Sequence, residues 1–262
     1  MPDTRNCAVM IAVSDNLNGL NPVLRGAMMR LDPEPIQELV SQIDRAGACV
    51  IDINPGYLPR HSYDRMRFLV ETVQKVTSAK LILDSPNPAL IEIGLDACND
   101  TPIINSVSLE KHKLNGILPL AVARKSDLVI LMMDEASFSP PCVDEKISLA
   151  LEISRVCIDA GLSLDKLIFD PVLPSLSWPD AWHRVGEAIK TIRLLSSGAI
   201  FGQPVRTMVG LSNLRSGSKR LHPVKIDFTT LGMLCGAGLE YALVDILEAE
   251  IVQLIDMANR MT

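Results

Sequence analysis

The sequence predicts an α/β protein, a single-domain (βα)8 or TIM barrel that spans residues 1–262. The chain has 262 residues, which is close to the roughly 250 residues of a typical barrel of this class. Apolar residues make up 48% of the chain and aromatic residues only 4%, an aliphatic composition typical of a parallel sheet covered by helices. Eight short β-type runs also alternate with segments of helical periodicity, as this fold requires.

The apolar pattern places these elements in order. The predicted strands are 7–13, 49–53, 80–83, 102–104, 127–133, 166–169, 207–211 and 240–244. The predicted helices are 35–46, 63–76, a segment that begins after Pro88, 113–125, 144–160, 179–196, 228–237 and 249–261. An open, doubly wound sheet is the alternative architecture. It predicts a Gly-rich turn after an early strand, and neither G-x-G-x-x-G nor a phosphate-binding loop motif occurs.

Charge, cysteines and hydropathy restrict the class of protein. The formal net charge is −6, which argues against a nucleic-acid-binding protein. The longest apolar runs are too short to span a bilayer, so we expect no membrane partner. The six cysteines form no C-x-x-C pair, and we expect buried thiols in a reducing compartment. With no basic-then-apolar leader, these features predict a cytoplasmic protein.

Polar residues end most of the predicted strands. They are Asp52 and Asn54, Asp84, Asn105, Asp170, Ser212 with Asn213, and Asp245. The carboxyl ends of all strands in a barrel lie on one face, where such folds build their active sites. One Asp or Asn at a strand end commonly serves only a turn or a helix cap, whereas six in a ring favour a binding site. A purely structural ring is the alternative.

The residue types in this ring restrict its chemistry. No lysine ends a strand, which disfavours a Schiff-base aldolase, and no H-x-H or H-E-x-x-H motif indicates a metal site. A carboxylate can accept hydrogen bonds from an amino group and a neighbouring ring N–H, and a carboxamide can both donate and accept. Acids and amides together therefore match a flat heterocycle with such an edge, and a pterin is one.

The same strand ends resemble the methyltetrahydrofolate–corrinoid protein methyltransferases, single-domain relatives of the folate module of cobalamin-dependent methionine synthase. The resemblance runs from about Asn18 to the final helix. The matching blocks are Asp52–Gly56 (D-I-N-P-G), Leu83–Pro88 (L-D-S-P-N-P) with Ile93–Leu95 (I-G-L), Ile104–Ser106 (I-N-S), Phe169–Pro174 (F-D-P-V-L-P) and Val209–Asn213 (V-G-L-S-N). Each block alone is weak, but together, in this order and spacing, they are specific.

The resemblance implies a homodimeric barrel that binds tetrahydrofolate or methyltetrahydrofolate through the pterin ring. Asp84, Asn105 and Asp170 would hydrogen-bond the pyrimidine edge, and Asn213 would approach N5, the atom that carries the methyl group. Further expected pterin-site or folate-site residues are Asp52, Gly210, Ser212 and Arg220. The corrinoid would arrive on a partner protein, since no D-x-H-x-x-G pattern for a cobalt-ligating histidine occurs here.

Two loops depart from the family pattern. The family's first strand often ends in Glu-Arg before Ile-Asn-Gly, where this chain has Ser14–Gly19 (S-D-N-L-N-G). After Asn213, the basic stretch Leu214–Arg220 (L-R-S-G-S-K-R) replaces a Gln- and Asn-containing segment. We interpret Arg215, Lys219 and Arg220 as candidates for binding the glutamate tail of folate or an acidic partner, with an ordinary solvated loop as the alternative.

The expected activity is methyl transfer between N5 of the folate and the cobalt of the corrinoid. The departures at the two loops favour the methyl-corrinoid to tetrahydrofolate step of an O- or N-demethylation system. A dihydropteroate synthase is the nearest alternative. That family usually has basic residues on its last strand, whereas Leu239–Asp245 (L-E-Y-A-L-V-D) contains neither Arg nor His. A non-catalytic folate-binding subunit is the other alternative.

Overall fold

The computed structural model of the chain describes residues 10–217 and 223–261. Its eight parallel strands close into one barrel in chain order, which confirms the predicted (βα)8 fold. The strands are β1 (Ile11–Asn18), β2 (Val50–Asn54), β3 (Lys80–Asp84), β4 (Ile103–Val107), β5 (Leu128–Leu131), β6 (Leu167–Asp170), β7 (Arg206–Gly210) and β8 (Tyr241–Val244). β8 pairs with β1, and this pairing completes the ring.

Helices surround the barrel. They are α1 (Pro22–Arg30), α2 (Glu34–Arg45), α3 (Asp64–Gln74), α4 (Pro88–Ala97), α5 (Lys111–Arg124), α6 (Val143–Asp159), α7 (Ala181–Ser196), α8 (Lys225–Gly236) and α9 (Ala249–Met261). Short 3-10 turns cover Arg60–Ser62, Leu164–Lys166 and Leu211–Arg215. No helix within the described ranges is both long and apolar enough to cross a membrane.

Two elements near the start of the chain differ from the sequence prediction. Helix α1 was not predicted, because only three of its nine residues are buried and its apolar period is weak. It begins where the Asn21 side chain accepts a hydrogen bond from the Val23 N–H and Pro22 occupies the first turn, a favourable helix start. β1 was predicted to end at Val13 but continues to Asn18, since Ser14, Leu17 and Asn18 still pair with β2 on either side of a register shift.

The barrel interior is filled in layers. One buried layer takes one residue from every strand: Val13, Val50, Ile82, Ile103, Val129, Ile168, Met208 and Tyr241. Side chains alternate between the two faces of a strand, so the residue two positions further along each strand faces inward again. That second layer, toward the carboxyl ends, comprises Asp15, Asp52, Asp84, Asn105, Leu131, Asp170, Gly210 and Leu243. An aliphatic layer is therefore followed by one rich in carboxylates and amides.

The amino-terminal end of the barrel carries an ion-pair cluster. Asp127 before β5 accepts from Lys166 and from Arg206, each at 3.0 Å. Although burial opposes it, the hydrogen bonds from Arg206 and Lys166 lower the pKa of Asp127. Because these residues precede or begin β5, β6 and β7, the cluster joins three strands at the end opposite the polar layer.

The cysteines are less buried than the sequence suggested. Of the five in the described ranges, Cys157 is buried, Cys98 and Cys235 are partly buried, and Cys49 and Cys142 are exposed. The prediction of buried thiols was therefore wrong for most of them. Cys49, Cys98 and Cys142 lie immediately outside β2, α4 and α6, so the apolar residues beside them pack into the core without burying the thiol. All five are free thiols.

Helix packing against α4 gives a test of the outer layer. A Cβ at Gly116 in α5 would lie 2.8 Å from Pro88 Cβ and closer still to its Cγ. The proline ring cannot yield, so we expect Gly116→Ala to lower the free energy of unfolding by about 1–3 kcal/mol. Gly232 in α8 has no atom within 4 Å of an added Cβ, and Gly232→Ala should raise it by about 0.5–1 kcal/mol. Urea unfolding of both variants checks this contrast, and equal effects would contradict it.

Candidate functional site

The polar layer brings together residues that are far apart in sequence. Asp84 and Asn105 lie side by side in the register of β3 and β4. The Asn105 side chain hydrogen-bonds Asp52 of β2, and the charges of Asp84 and Asp15 both act on Asp52. The carboxylates and amides predicted from strand ends therefore converge on one mouth of the barrel.

Asp52 is the deepest carboxyl of this group, with 2% of its surface exposed. Its Oδ1 atom has no hydrogen-bond partner. Burial, followed by repulsion from Asp84 and from Asp15, holds the pKa of Asp52 well above its usual range. A raised pKa favours the protonated form of the carboxyl, which can donate a hydrogen bond as well as accept one.

Asp84 is better supplied with partners. Asn54 Nδ2 donates to Asp84 Oδ2 at 2.7 Å. Burial raises the pKa of Asp84 to about 6, against the opposing effects of the Asn54 hydrogen bond and the nearby Lys113 ammonium. Lys113 is held in turn by Glu110, with Nζ 2.5 Å from Oε2. Asp84 therefore sits at the mouth with one oxygen fixed and its other oxygen available to a ligand.

Asp170 occupies the opposite part of the ring and is 5% exposed. The Val172 N–H donates to Asp170 Oδ1 at 2.7 Å. Burial raises the pKa of Asp170 to about 7, while this backbone hydrogen bond and the Lys146 ammonium oppose the rise. Lys146 of α6 donates to the Pro171 carbonyl at 2.5 Å and to Ser139 Oγ at 2.7 Å. A buried lysine thus supports the segment after Asp170. The sequence did not predict this contact, because Lys146 lies in the first turn of α6 and not at a strand end.

Asp15 is a site residue that the strand-end analysis overlooked. Burial raises the pKa of Asp15 to about 6, Ser212 hydrogen-bonds it and lowers the pKa, and the Asp245 charge raises it again. Ser212 is exposed. Its hydrogen bond to Asp15 joins β1 to the segment after β7 at the rim of the barrel. The sequence does contain an acidic residue in Ser14–Gly19, the stretch that departs from the family pattern. That stretch was interpreted as a loop, so Asp15 was not assigned to a strand end.

Asn213 follows β7 in the 3-10 turn Leu211–Arg215 and is half-buried. A Cβ at Gly210 would lie 3.5 Å from Asn213 Nδ2. The Asn213 amide therefore lies next to the backbone at the end of β7, at an ordinary contact distance from the Gly210 Cβ position. Gly210, Ser212 and Asn213 thus lie together at the end of β7, and the roles expected of them stay predictions.

The basic loop after Asn213 is partly accounted for by an ion pair. Arg215 hydrogen-bonds Asp227 of α8, whose side chain is 6% exposed. Arg215 therefore already has a carboxylate partner within the chain. Arg220 and Lys219, the other two candidates for the folate tail, lie outside the described residues.

Two cavities flank the polar layer and differ in charge. One, of about 770 Å³, lies over β2 and β3, and its lining includes Asn54, Arg60, Tyr63 and Ser85. The other, of about 270 Å³, lies over β7, β8 and β1, and its lining contains four carboxylates: Asp15, Asp227, Asp245 and Glu248. Across residues 10–217 and 223–261, no three His, Cys, Asp or Glu side chains are grouped so as to hold a metal ion.

Comparison with known proteins identifies the class of this barrel. The profile of the pterin-binding enzyme family matches residues 18–242. The chain belongs to that family.

Relatives by sequence are more specific. The chain is 26% identical over 230 residues to a methylcorrinoid:tetrahydrofolate methyltransferase of Eubacterium limosum, a match that covers 87% of this chain and 82% of that protein. It is also 24% identical over 242 residues to a methionine synthase of Mycobacterium leprae, covering 90% of this chain but 20% of that much longer protein. The similarity to methionine synthase is thus confined to one part of that enzyme.

Solved structures with the same fold include dihydropteroate synthases. The enzyme of Xanthomonas albilineans, in complex with 7,8-dihydropteroate, superposes with a TM-score of 0.71 at 13% identity over 98% of this chain and 95% of that one. The Yersinia pestis enzyme gives a TM-score of 0.66 at 17% identity, over 97% and 94% of the two chains. At this level of identity the likeness establishes the barrel fold alone.

The raised pKa of Asp170 has a consequence for stability. An aspartate that titrates near 4 in the unfolded chain and at about 7 in the folded one keeps its proton on folding, so its contribution to stability is lost as pH rises through that interval. Asp170→Asn removes this titration and keeps an acceptor for the Val172 N–H. We expect the variant to be about 1–3 kcal/mol more stable than the parent at pH 8 and nearly equal at pH 4.

Chemical denaturation at several pH values measures this difference. Asp159→Asn, at an exposed position of α6, is the matched control and should show no growing gap between pH 4 and pH 8. A constant offset for Asp170→Asn across that range would mean that the Asp170 carboxyl is ionised throughout.

Proposed function

We propose that this chain is a methyltransferase that moves a methyl group from a methyl-corrinoid on a partner protein to N5 of tetrahydrofolate. The observation that carries the proposal is the inward layer with Asp84, Asn105 and Asp170 at the mouth of the barrel. Family membership and the Eubacterium limosum relative support it and favour this direction of transfer.

The pterin edge accounts for the composition of the layer. Its 2-amino group and adjacent ring N–H are donors, and its ring carbonyl is an acceptor. Ionised Asp170 or Asp84 can accept a pair of these N–H groups, and the Asn105 amide can both donate and accept. Burial has raised the pKa of both carboxyls. A ligand that donates hydrogen bonds to them stabilises their ionised forms and takes the place of the water molecules that it displaces.

Asn213 acts at N5 in this proposal. During transfer N5 gains a methyl group and loses its proton, so the hydrogen bonding required at N5 changes. The Asn213 amide oxygen can accept a hydrogen bond from N5–H without itself titrating, which leaves the N5 lone pair directed toward the incoming methyl group. The Asn213 amide lies beside Gly210 at the end of β7. Asp15, which Ser212 links to the same wall, is a nearby titratable group.

The corrinoid, when the partner presents it, supplies the cobalt-bound methyl group. The described residues contribute binding and orientation of the folate at an open barrel mouth, and the partner must dock over that mouth. We further propose a cytoplasmic location. The free thiols, two of them exposed, fit a reducing compartment.

Dihydropteroate synthesis is the second candidate, favoured by the solved structures that share the fold. The last strand argues against it. β8 and its flanks read Leu239–Asp245 without a basic residue, whereas that reaction must handle a pyrophosphate leaving group. The mouth beside β8 is instead acidic, with Asp15, Asp245 and Glu248 around one cavity.

The variant Asn213→Ala tests the proposal. We expect turnover with methylcobalamin and tetrahydrofolate to fall about tenfold to a hundredfold, while tetrahydrofolate affinity changes little, because Asn213 acts at N5 and not at the pyrimidine edge. Absorbance of the demethylated corrinoid follows turnover, and calorimetry follows binding.

Asn99→Ala, at an exposed position before β4, is the control and should behave as the parent. Unchanged turnover in Asn213→Ala would remove this residue from the mechanism. Folate binding without any methyl transfer by the parent would favour the non-catalytic binding subunit, and dihydropteroate formation from its precursors would favour the synthase.

We also propose a homodimer, formed through the face between α7 and α8. A cavity of about 390 Å³ there is lined mainly by apolar groups such as Val185, Ile189 and Ile226. Trp182 is 63% exposed and Met233 53% exposed. Large exposed apolar patches of this kind commonly mark an interface with another protein.

Sedimentation velocity measures the oligomeric state directly. The parent should sediment as a dimer, and the double variant Trp182→Glu, Met233→Lys as a folded monomer, because burying two charged groups in an apolar interface is unfavourable. A parent that remains monomeric at high micromolar concentration would contradict the proposal.

A further inference from the structure

The larger of the two cavities beside the polar layer begins at the layer itself. Asn54, which donates to Asp84 at 2.7 Å, and Ser85, which follows Asp84, are both part of its lining. At about 770 Å³ it falls within the roughly 300–1,000 Å³ range of small-molecule sites. A ligand whose head group lies on Asp84 can therefore extend into this cavity without leaving the protein surface.

Charge distinguishes this cavity from the one on the other side. None of its lining residues is Asp or Glu, whereas it includes Arg60 and His112. Among the described residues, no carboxylate forms an ion pair with Arg60. The cavity over β7, β8 and β1 contains four carboxylates and a single arginine, Arg215, which is already paired with Asp227. An anionic group is thus favoured over β2 and β3 and disfavoured over β8.

The walls of the larger cavity suit an aromatic ring. Tyr57 is 92% exposed at its edge, and Tyr63 lines it with its hydroxyl oxygen accepting from Asn87 Nδ2. Pro59, Pro86 and Leu90 add apolar surface. A ligand that fills this space combines a flat ring with a negative charge near Arg60.

We propose that this cavity binds the p-aminobenzoyl-glutamate tail of the folate, with the aromatic ring against Tyr57 and Tyr63 and the glutamate carboxylates at Arg60. The proposal rests on the proposed function, because it takes the pterin to lie on the polar layer. It is an alternative to the sequence-based assignment of the tail to the loop after Asn213, where Arg215 already pairs with Asp227.

A pair of ligands isolates the tail from the head group. Tetrahydrofolate carries the tail and 6-methyltetrahydropterin lacks it, so the ratio of their dissociation constants measures what the tail contributes. Anaerobic calorimetry on the full chain provides both constants. The parent should bind tetrahydrofolate more tightly than the tail-less pterin.

The substitution Arg60→Gln should reduce this ratio about threefold to tenfold and leave the affinity for 6-methyltetrahydropterin unchanged. Raising the salt concentration should reduce the ratio in the parent but not in the variant, because exposed charges are screened. Tyr57→Ala should also reduce the ratio, without this salt dependence. Arg155→Gln, at an exposed position of α6, is the matched control and should have the parent's ratio.

Several outcomes would overturn the inference and separate it from the proposed function. A parent ratio near one, or an Arg60→Gln ratio equal to the parent's, would mean that the tail lies elsewhere while the pterin site stands. A ratio that collapses in Lys219→Gln, Arg220→Gln instead would place the tail on the loop after Asn213. Binding of neither ligand would remove the pterin site and the tail site together.

Discussion

The structure depends on a constraint that barrel closure imposes on side-chain direction. Each strand contributes its inward positions to shared layers, and here one layer takes carboxyl groups from β1, β2, β3 and β6. Burial raises the pKa of Asp15, Asp52, Asp84 and Asp170, and repulsion from neighbouring carboxylates adds to this rise for Asp15 and Asp52. The fold thus holds a cluster of acids that the described residues supply only in part with hydrogen-bond donors.

The partners that are present have specific positions. Asn54 and Asn105 supply amide hydrogen bonds to Asp84 and Asp52, and the buried Lys146 lies behind Asp170. These groups stabilise the ionised carboxylates only in part, because the pKa values of Asp52, Asp84 and Asp170 stay raised. A ligand that presents several N–H groups in one plane can donate hydrogen bonds to these carboxyls. The burial of carboxyls with few partners favours such a ligand but lowers the free energy of unfolding, so stability and binding are opposed at these positions.

Much of this arrangement was predictable from the sequence. Eight aliphatic runs separated by helical periods determined the barrel, and Asp or Asn at the ends of the strands indicated where the site lies. The errors share a physical cause. Asp15 was missed because polar residues interrupt the apolar run of β1 after Val13, although the strand continues to Asn18 past a register shift between Ser14 and Leu17. Lys146 and the Arg215–Asp227 pair make contacts between separate elements, and the periodicity within one element does not predict such contacts. The roles assigned to Asp84, Asn105, Asp170 and Asn213 remain predictions.

The ion pairs among Asp127, Lys166 and Arg206 lie at the opposite end of the barrel. They tie β5, β6 and β7 together without using any residue of the acidic layer. The aliphatic layer therefore separates these stabilising contacts from the acidic layer at the mouth. Because of this separation, the loops above the strands can be exchanged with those of other pterin enzymes while the ion pairs beneath are kept, and such chimeras offer a route to changing which reaction a barrel of this family supports.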